Sequence, residues 1–544
     1  MKQYLLAFIL LLGLSTVKAQ IVDEKPKLVV GIVVDQMRYD YLTRFWDQFG
    51  EEGFKRLVKD GFTFKNNHFN YVPTYTGPGH ASIYTGTTPA YHGIISNSWY
   101  NKFEEKYVYC AGDASVNPVG TQSDAGKMSP HRLKSTTFTD ENRLHTEMKG
   151  KTIGVSLKDR GAILPAGHTA NAAYWFYGEN EANWITSSYY MDELPKWVQD
   201  FNKSGKAKSY LKTWDALKDI KSYTQSGVDE NEFEFGFQGK ETATFPYDLA
   251  ALAPENGNYD IIKSTPFGND LTAEFAKAAI EGESLGEDAI TDVLTLSFSS
   301  TDYVGHNFGV NSKEAQDTYM RLDLALADFL KFLDKKVGEG EYTVFLTADH
   351  GGVDVPAYLK SRKVPAGYFD ETGFKENLEK FVSERLEADG LIENISNSQI
   401  FLNYDKLEAE ELDLDDVQEE IAHYILQQEH VSRVFTREQL QGGFFDDGIG
   451  ELVENGFNQK RSGDVVFIMD PGYIVYPEKG TTHGSGFSYD THVPLIFFGK
   501  GIKHGSTVQP SYVNDIAPTM SALLGNSFPS ATTGKPLSII LDKK

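Results

Sequence analysis

The run KLVVGIVVD occupies residues 27–35 and decides the fold class, because an unbroken apolar segment ends in Asp35. Two further runs have the same form: DVLTLSFSSTD ends at Asp302, and TVFLTADH ends at Asp349 and His350. Continuous apolar runs of this length are typical of strands in a parallel sheet that helices cover on both faces. In such sheets, ligands bind beyond the carboxyl ends of the strands.

Histidines accompany these strand ends. His306 follows in the segment DYVGH, and GTTHGSG offers His483. Carboxylates and imidazoles together are the ligands of hydrolytic metal centres, and this mixture of oxygen and nitrogen suits zinc, with manganese or iron as alternatives. Three aspartates and three histidines suffice for two metal sites with open positions.

The spread of these residues along the chain predicts the domain organisation. Because they extend from Asp35 to His483 and must meet at one site, we expect a single catalytic domain over 20–544. We predict an α/β fold with a large, mostly parallel central sheet flanked by helices, and inserted cap segments at about 165–250 and 355–460. Further predicted elements are a helix over 313–335 and strands at 28–34, 152–157, 292–299, 343–348, 464–469 and 493–498.

The N-terminus has the pattern of a secretory signal peptide over residues 1–19. A basic Lys2 precedes an apolar core, and small residues end at Ala19. The apolar core is too short to span a bilayer comfortably, so we expect an exported protein, periplasmic or secreted, with no membrane anchor in its mature form. We expect a monomer.

Composition excludes one class of partner. The formal net charge is −25, which opposes nucleic-acid binding. An anionic substrate would need a local attraction, and bound divalent cations could supply it. Cys110 is the only cysteine, so no intramolecular disulfide can form, and we interpret it as a small buried apolar residue.

A hydroxyl group completes the predicted site. Thr76 begins the segment TGPGH, whose glycines and proline favour a tight turn before a short helix. A hydroxyl at a helix start is often a simple cap, but the free N–H groups there also attract anions. Thr74, Ser82 and Thr85 are alternative nucleophiles on this reasoning.

At this point the ordered motifs resemble the alkaline phosphatase superfamily. TGTTPAYHGIISN, residues 85–97, is similar to the nucleotide pyrophosphatase/phosphodiesterase branch. The segment KTIGVSLKDRGA, residues 151–162, contains Lys158 and Arg160. It resembles the corresponding segment of PafA-type alkaline phosphatases, which are exported bacterial enzymes.

The resemblance implies two Zn²⁺ ions per chain and the role of each ligand. Asp302, His306 and His483 (the Asp302 group) would hold one ion; Asp35, Asp349 and His350 (the Asp35 group) would hold the other, with the Thr76 oxygen. Thr76 would be the nucleophile that forms a phosphothreonine. Asn97 and the Thr76 N–H would bind phosphoryl oxygens.

Lys158 and Arg160 argue for small-molecule phosphate monoesters as substrates. A monoester dianion carries more charge on its nonbridging oxygens than a diester, so two additional cations favour it. An ordinary surface K-D-R segment is the alternative interpretation of these residues.

The same residues bear on three other functions. A sulfatase would have cysteine or serine at position 76 and arginine where His80 stands, so the motif argues against it. A phosphodiesterase, nucleotide pyrophosphatase or phosphonate hydrolase would use the same metals and threonine and remains open. A noncatalytic metal-binding protein fits less well, because no member of the ligand set is missing.

Overall fold

The computed structural model describes residues 25–443 and 445–541, so the predicted signal peptide lies outside the described residues. The largest element is a ten-stranded sheet. Its strands, in chain order, are β1 (Leu28–Val34), β2 (Phe62–Phe64), β3 (Pro118–Val119), β4 (Thr152–Ser156), β5 (Ala172–Tyr177), β6 (Asn183–Ser187), β7 (Asp292–Phe298), β8 (Tyr342–Thr347), β9 (Leu495–Gly499) and β10 (Gly505–Thr507).

The strand order is β10-β2-β9-β8-β1-β7-β4-β5-β6-β3, and the five strands from β8 to β5 are mutually parallel. In the central pair, Leu28 lies opposite Asp292 and Val34 opposite Phe298. This register brings the ends of β1 and β7 to the same edge of the sheet. The predicted α/β class and its mostly parallel sheet are confirmed.

Five helices position or support the candidate site: α1 (Thr76–Thr85), α2 (Asp159–Ala166), α3 (Pro266–Gly282), α4 (Ser300–Phe308) and α5 (Lys313–Leu333). Every residue of β1, β7 and β8 is buried. This burial on both faces explains why the strands are continuous apolar runs rather than alternating ones. The helix predicted over 313–335 is α5, and it continues as a π-helical turn at Asp334–Gly338.

One predicted strand belongs elsewhere. The run at 464–469 forms Val465–Met469, which pairs with Gln399–Leu402 and Val431–Thr436 in a separate four-stranded sheet that also contains Ile392–Ser396. This sheet and the helices Glu371–Leu386 and Leu414–Leu426 share their own apolar core. An apolar run specifies a strand but not its neighbours, so the sequence did not distinguish the two sheets.

The predicted insertion at about 165–250 begins with β5 and β6, which are part of the central sheet. Its remaining elements are short: helices Lys196–Lys203, Lys206–Ser209 and Leu249–Leu252, and the strand pair Thr213–Trp214 and Tyr247–Asp248. The predicted boundaries of both insertions stay predictions. Cys110 is fully buried, as expected.

The remaining α-helices are Asp40–Arg44, Phe54–Asp60, Pro89–His92, Phe138–His145, Pro356–Ser361, Tyr404–Ala409, Arg437–Gln441, Gly448–Gly456, Ser488–Thr491 and Ile516–Leu524. Short strand pairs comprise Asn67–His68 with Ser511–Tyr512, Ser98–Asn101 with Lys106–Tyr109, and Gly367–Tyr368 with Tyr473–Ile474. In residues 25–443 and 445–541, no helix is long and apolar enough to cross a membrane.

Candidate active site

The carboxyl ends of the three central strands converge on one buried cluster. Asp35 follows β1, Asp349 and His350 follow β8, and α4 begins just after β7 and presents Asp302. Within the described chain, two sets of side chains offer ligand atoms that lie within 4.8 Å of one another: Asp35 with Asp349 and His350, and Asp302 with His350 and His483.

His306 does not belong to either of these compact sets, but it lies beside them. Its Nε2 is 3.1 Å from Asp302 Oδ1, and His483 Nε2 is 3.7 Å from the same oxygen. His350 is shared because its ring stacks on that of His483 with centroids 3.4 Å apart. The structure thus brings every residue of the Asp302 group and the Asp35 group into one cluster.

The three imidazoles share one tautomer. Nδ1 donates to a backbone carbonyl oxygen in each ring: His306 to Thr481 (2.7 Å), His350 to Gly351 (2.9 Å) and His483 to Thr74 (2.8 Å). A carbonyl oxygen only accepts, so Nδ1 carries a proton and Nε2 is the nitrogen that faces the carboxylates. Burial lowers the pKa values of His350 and His483, which favours the neutral form that binds metals.

The buried carboxylates are only partly compensated by hydrogen bonds and positive charge. Asp35 Oδ1 and Asp349 Oδ2 are buried without a hydrogen-bond donor. Burial, reinforced by the charges of Asp302 and Asp349, raises the pKa of Asp35 well above its usual range. Burial acts in the same direction on Asp302, but the charges of His306 and Lys158 outweigh it and lower the pKa of that carboxyl.

These observations fit divalent cations. Unpaired buried carboxylate oxygens are costly, and a cation between them removes both the missing partner and the mutual repulsion. Imidazole nitrogens beside carboxylate oxygens form the donor set of a zinc site. Backbone carbonyls that fix the opposite ring nitrogen are the usual supports of such ligands.

Thr76 is the hydroxyl that faces this cluster. Its Oγ1 lies 3.4 Å from His350 Nε2, and Thr76 is the first residue of helix α1. The competing hydroxyls are engaged elsewhere: Thr74 donates to the Ser485 carbonyl, Thr85 donates to the Ala81 carbonyl, and Ser82 bonds His92 Nε2. In the first turn of α1, the Gly77 N–H donates to Asn97 Oδ1, Pro78 has no N–H and the Gly79 N–H donates to the Tyr75 carbonyl. Among these described residues, the Thr76 N–H is therefore the one left for an anion.

Close packing places α1 against the strand end. A Cβ atom on Gly79 would lie 2.3 Å from the Asp349 carbonyl oxygen, so only glycine permits this approach. His80 donates from Nδ1 to the Thr76 carbonyl (2.9 Å) and bonds Ser297 through Nε2 (2.9 Å), which ties α1 to β7. Asn97 Oδ1 accepts the N–H of Gly77 at 2.7 Å, next to Thr76.

Lys158 lies inside the cluster rather than at its edge. It follows β4, precedes α2 and is almost fully buried. Its Nζ donates to Asp35 Oδ2 at 2.7 Å and to Asp302 Oδ2 at 2.5 Å, so one ammonium joins the two ligand groups. Burial alone would lower the pKa of Lys158, but these two carboxylates raise it and keep the side chain charged.

Arg160 lies two residues after Lys158, in the first turn of α2. Its Nη1 donates to the Tyr109 hydroxyl at 3.0 Å, while its Nε is buried without an acceptor. The Tyr109 hydroxyl in turn donates to Asp159 Oδ1 at 2.5 Å. Asp159 therefore bonds Tyr109 rather than Lys158, and it supports Arg160 only through the Tyr109 hydroxyl.

Sequence reasoning missed Gln36 and two aromatic residues. Gln36 Nε2 donates to Asp302 Oδ1 at 2.7 Å. The Tyr303 ring lies 5.0 Å from Lys158 Nζ, and the Tyr476 ring stacks on His306 at 5.8 Å. Gln36 directly follows Asp35, and this adjacency was the only sign of its position in the sequence.

A cavity of about 290 Å³ adjoins the cluster on the His483 side. Its walls include Tyr75, which precedes Thr76, and Gln399 and Val453, which lie within the predicted insertion at about 355–460. Part of this predicted insertion therefore lines a cavity that also contains His483.

The chain matches a known protein family over most of its length. A family profile described as "Type I phosphodiesterase / nucleotide pyrophosphatase" matches residues 29–493. The chain belongs to this family. That span includes Asp35, Thr76 and His483, so the whole cluster lies within the matched region.

Within this family, the chain is similar to alkaline phosphatases of the PafA type. It is 45% identical to "Alkaline phosphatase PafA" of Elizabethkingia meningoseptica over 100% of this chain and 99% of the relative. The crystal structure of wild-type PafA superposes with a TM-score of 0.92 and 46% identity, covering 95% of this chain and 99% of that one.

Two other relatives are similarly close. "Alkaline phosphatase PhoV" of Synechococcus elongatus is 43% identical over 95% of this chain and 93% of the relative. A protein of Myroides odoratus named "Calcium-transporting ATPase" is 44% identical over 96% of this chain and 95% of the relative. The predicted resemblance to PafA-type alkaline phosphatases is confirmed.

Proposed function

We propose that this chain is an alkaline phosphatase that hydrolyses phosphate monoesters with two zinc ions and a phosphothreonine intermediate. One observation carries the proposal: a threonine hydroxyl, two ligand groups and a buried lysine meet in a single cluster at the carboxyl ends of parallel strands. The similarity to PafA and PhoV supports the same reaction class.

The resemblance to PafA-type alkaline phosphatases implies which residues would hold each metal, and the clustered carboxylates and imidazoles support a metal centre there. The Asp302 group (Asp302, His306 and His483) would bind one Zn²⁺. The Asp35 group (Asp35, Asp349 and His350) would bind the other, together with Thr76 Oγ1. When bound, the two ions supply positive charge to the phosphoryl oxygens and lower the pKa of the Thr76 hydroxyl.

Thr76 performs the covalent step. Its Oγ forms a bond to phosphorus while the bond from phosphorus to the ester oxygen breaks, and the alcohol leaves with one proton. Water then forms a new bond to phosphorus as the bond to Thr76 Oγ breaks, which yields inorganic phosphate and restores the hydroxyl. The Thr76 N–H and the side-chain NH₂ of Asn97 orient the phosphoryl oxygens.

Lys158 and Arg160 select the ester. The Lys158 ammonium has three donor hydrogens, of which Asp35 and Asp302 engage two, so one remains for a phosphoryl oxygen. The Arg160 Nε has no acceptor within the described residues and is likewise available. Because a monoester is a dianion, two cations beside the phosphoryl group stabilise it more than a diester.

The test compares an aryl phosphate with its methyl diester. In Lys158→Ala/Arg160→Ala, we expect kcat/KM for the monoester to fall on the order of 10²–10⁴-fold, since each charged hydrogen bond contributes about 1.5–3 kcal/mol. We expect a smaller loss for the diester. The matched control is Lys196→Ala/Arg385→Ala, which removes one exposed lysine and one exposed arginine and should leave both rates unchanged.

Several results would contradict the proposal. A wild-type preference for the diester would favour the phosphodiesterase or phosphonate hydrolase alternative. A preference for ATP over every monoester would favour a function like that in the name of the Myroides relative. Absence of turnover with Zn²⁺ bound would favour a noncatalytic metal-binding protein.

Export is part of the proposal. The pattern of residues 1–19 supports cleavage after Ala19 and a periplasmic or secreted enzyme that acts on small-molecule phosphate esters. N-terminal sequencing of the exported protein should begin at Gln20, and an intact Met1 would contradict cleavage.

A further inference from the structure

Gln36 lies between the two ligand groups. It is 2% exposed, and its backbone adopts a left-handed conformation with φ 59°. Its side-chain Nε2 donates to Asp302 Oδ1 at 2.7 Å, while its backbone N–H donates to Asp349 Oδ1 at 3.2 Å. The residue directly after Asp35 therefore contacts one carboxylate of each group.

The oxygen that Gln36 contacts is the one on the imidazole side of Asp302. Asp302 Oδ1 faces His306 Nε2 at 3.1 Å and His483 Nε2 at 3.7 Å. The other oxygen, Oδ2, accepts from Lys158. Gln36 and Lys158 thus hold opposite oxygens of one carboxylate, which fixes both its tilt and the oxygen presented to the histidines.

Two glycines make room for this side chain. A Cβ on Gly305 would lie 1.9 Å from Gln36 Oε1, and a Cβ on Gly352 would lie 3.2 Å from the same atom. Gly305 precedes His306, and Gly352 lies two residues after His350. The segments that carry these histidines are therefore shaped around Gln36. The Tyr319 hydroxyl donates to the Gln36 carbonyl oxygen at 3.3 Å.

We propose that Gln36 is a positioning residue for the Asp302 metal site. Its amide holds Asp302 Oδ1 in the orientation in which that oxygen and the two histidines bind one cation. The inference rests on the proposed two-metal centre and deepens it. Residues that orient metal ligands in this way typically change metal affinity about 10–100-fold when they are removed.

A purely structural role makes a different prediction. If Gln36 served only to form the left-handed turn after Asp35, any residue that tolerates this conformation would replace it. Asparagine is enriched in left-handed conformations, but its amide is one methylene shorter and would not reach Asp302. Gln36→Asn therefore separates the amide contact from the backbone conformation.

The experiment measures Zn²⁺ affinity of the full chain by competition with a chromophoric chelator, and the visible spectrum of the Co²⁺-loaded protein. In Gln36→Asn, we expect affinity at one site to fall about 10–100-fold and the other site to stay unchanged. We expect the Co²⁺ spectrum to change for the weakened site alone. The matched control is Gln418→Asn, the same change at a buried glutamine in the distant helix Leu414–Leu426.

A second variant displaces the Gln36 amide without changing Gln36 itself. Gly305→Ala keeps Gln36 but forces its amide away from Asp302, and we expect the same selective loss of one site. Thermal unfolding of each metal-free variant reports whether the fold is intact. If wild type binds no Zn²⁺, the proposed function and this inference both fail. If wild type binds two ions and Gln36→Asn or Gly305→Ala retains both affinities, or weakens both equally, the positioning role alone is wrong.

Discussion

The role of each residue in the cluster depends on the residues that it contacts. Lys158 was predicted as a substrate contact at a strand end, and it also bridges Asp35 and Asp302 at 2.7 and 2.5 Å. A buried ammonium between two buried carboxylates offsets part of their repulsion, while unpartnered oxygens on Asp35 and Asp349 still require positive charge. The same lysine therefore belongs both to the electrostatics of the ligands and to the proposed choice of ester.

Substitution of Thr76 tests its proposed role as the nucleophile. We expect Thr76→Ala to lower kcat/KM for an aryl phosphate on the order of 10³-fold or more, because the covalent step loses its nucleophile. Thr76→Ser keeps the hydroxyl and should retain activity within about tenfold. Steady-state kinetics and acid trapping of the phosphorylated chain provide the measurement.

The control for this prediction is Thr74→Ala, which removes the neighbouring hydroxyl that donates to Ser485. It should still form a phosphothreonine, although the loss of one hydrogen bond will lower its stability slightly. Trapped phosphate on Thr76→Ala, located at another hydroxyl, would contradict the assignment.

At the scale of elements, parallel pairing explains why one edge of the sheet collects the ligands. β1, β7 and β8 run in the same direction, so the residues that follow them emerge together. α1 then approaches Asp349 through Gly79, and α4 presents Asp302 and His306 one turn apart on the same face. These elements supply six of the seven proposed ligand residues, whereas His483 lies in the loop before Ser488–Thr491.

Two buried glutamates outside the proposed ligand groups form an acidic pair: Glu314 lies in the first turn of α5, and Glu234 lies in a loop that precedes it in the chain. Burial raises the pKa of Glu234 to about 9, reinforced by the charge of Glu314, and raises the pKa of Glu314 itself to about 8. Glu314 Oε1 accepts from Tyr247, whereas Oε2 has no partner. Both carboxyls are therefore protonated in the folded protein near neutral pH.

The pH dependence of stability follows from the sign of these shifts. A raised carboxyl pKa means that the folded state binds more protons than the unfolded state between the two pKa values. The free energy of unfolding therefore falls as pH rises from about 5 to about 8, by up to about 1.4 kcal/mol per pH unit for each proton. Glu314→Gln cannot lose this proton, so we expect a flatter profile.

Denaturant unfolding of the metal-loaded protein between pH 6 and pH 9 measures this dependence. The control is Glu384→Gln, an exposed glutamate in the helix Glu371–Leu386, which should follow the wild-type profile. Identical slopes for wild type and Glu314→Gln would show that the pair does not titrate as expected.

At the scale of the whole molecule, the ligands come from distant parts of the chain. Asp35 and His483 lie near opposite ends of the sequence, and both approach the loops that follow β1 and β8. Bound cations would therefore join segments across the entire central sheet. Metal binding and global folding should be coupled, because the unfolded chain has no preformed site.

Metal removal tests this coupling. We expect a chelator to lower the Tm in a single cooperative transition and Zn²⁺ to restore it, since a ligand present at 100 times its Kd adds about 2.7 kcal/mol of stability. Differential scanning calorimetry measures both changes. Asp349→Asn removes one ligand of the Asp35 group and should respond less to the chelator. An unchanged Tm in the chelated wild type would contradict the coupling.

The sequence by itself determined the strands, the strand-end aspartates and the residue types of a metal centre. Apolar runs and the polar residues that end them are local features, so β1, β7 and β8 could be predicted to within one residue at each end. The motif around Thr76 likewise lies within a single short segment. Its resemblance to known enzymes predicted the reaction class before any contact was known.

Only the tertiary structure decided which residues meet. The strand at Val465–Met469 pairs with the second sheet, and Gln36 contacts Asp302 and Asp349 across separations of 266 and 313 residues. Apolar periodicity specifies which side chains are buried but not their neighbours, because partner choice depends on how long connections close and how segments pack. For this reason the sequence predicted the ligands, while the amide between them became visible only in the folded chain.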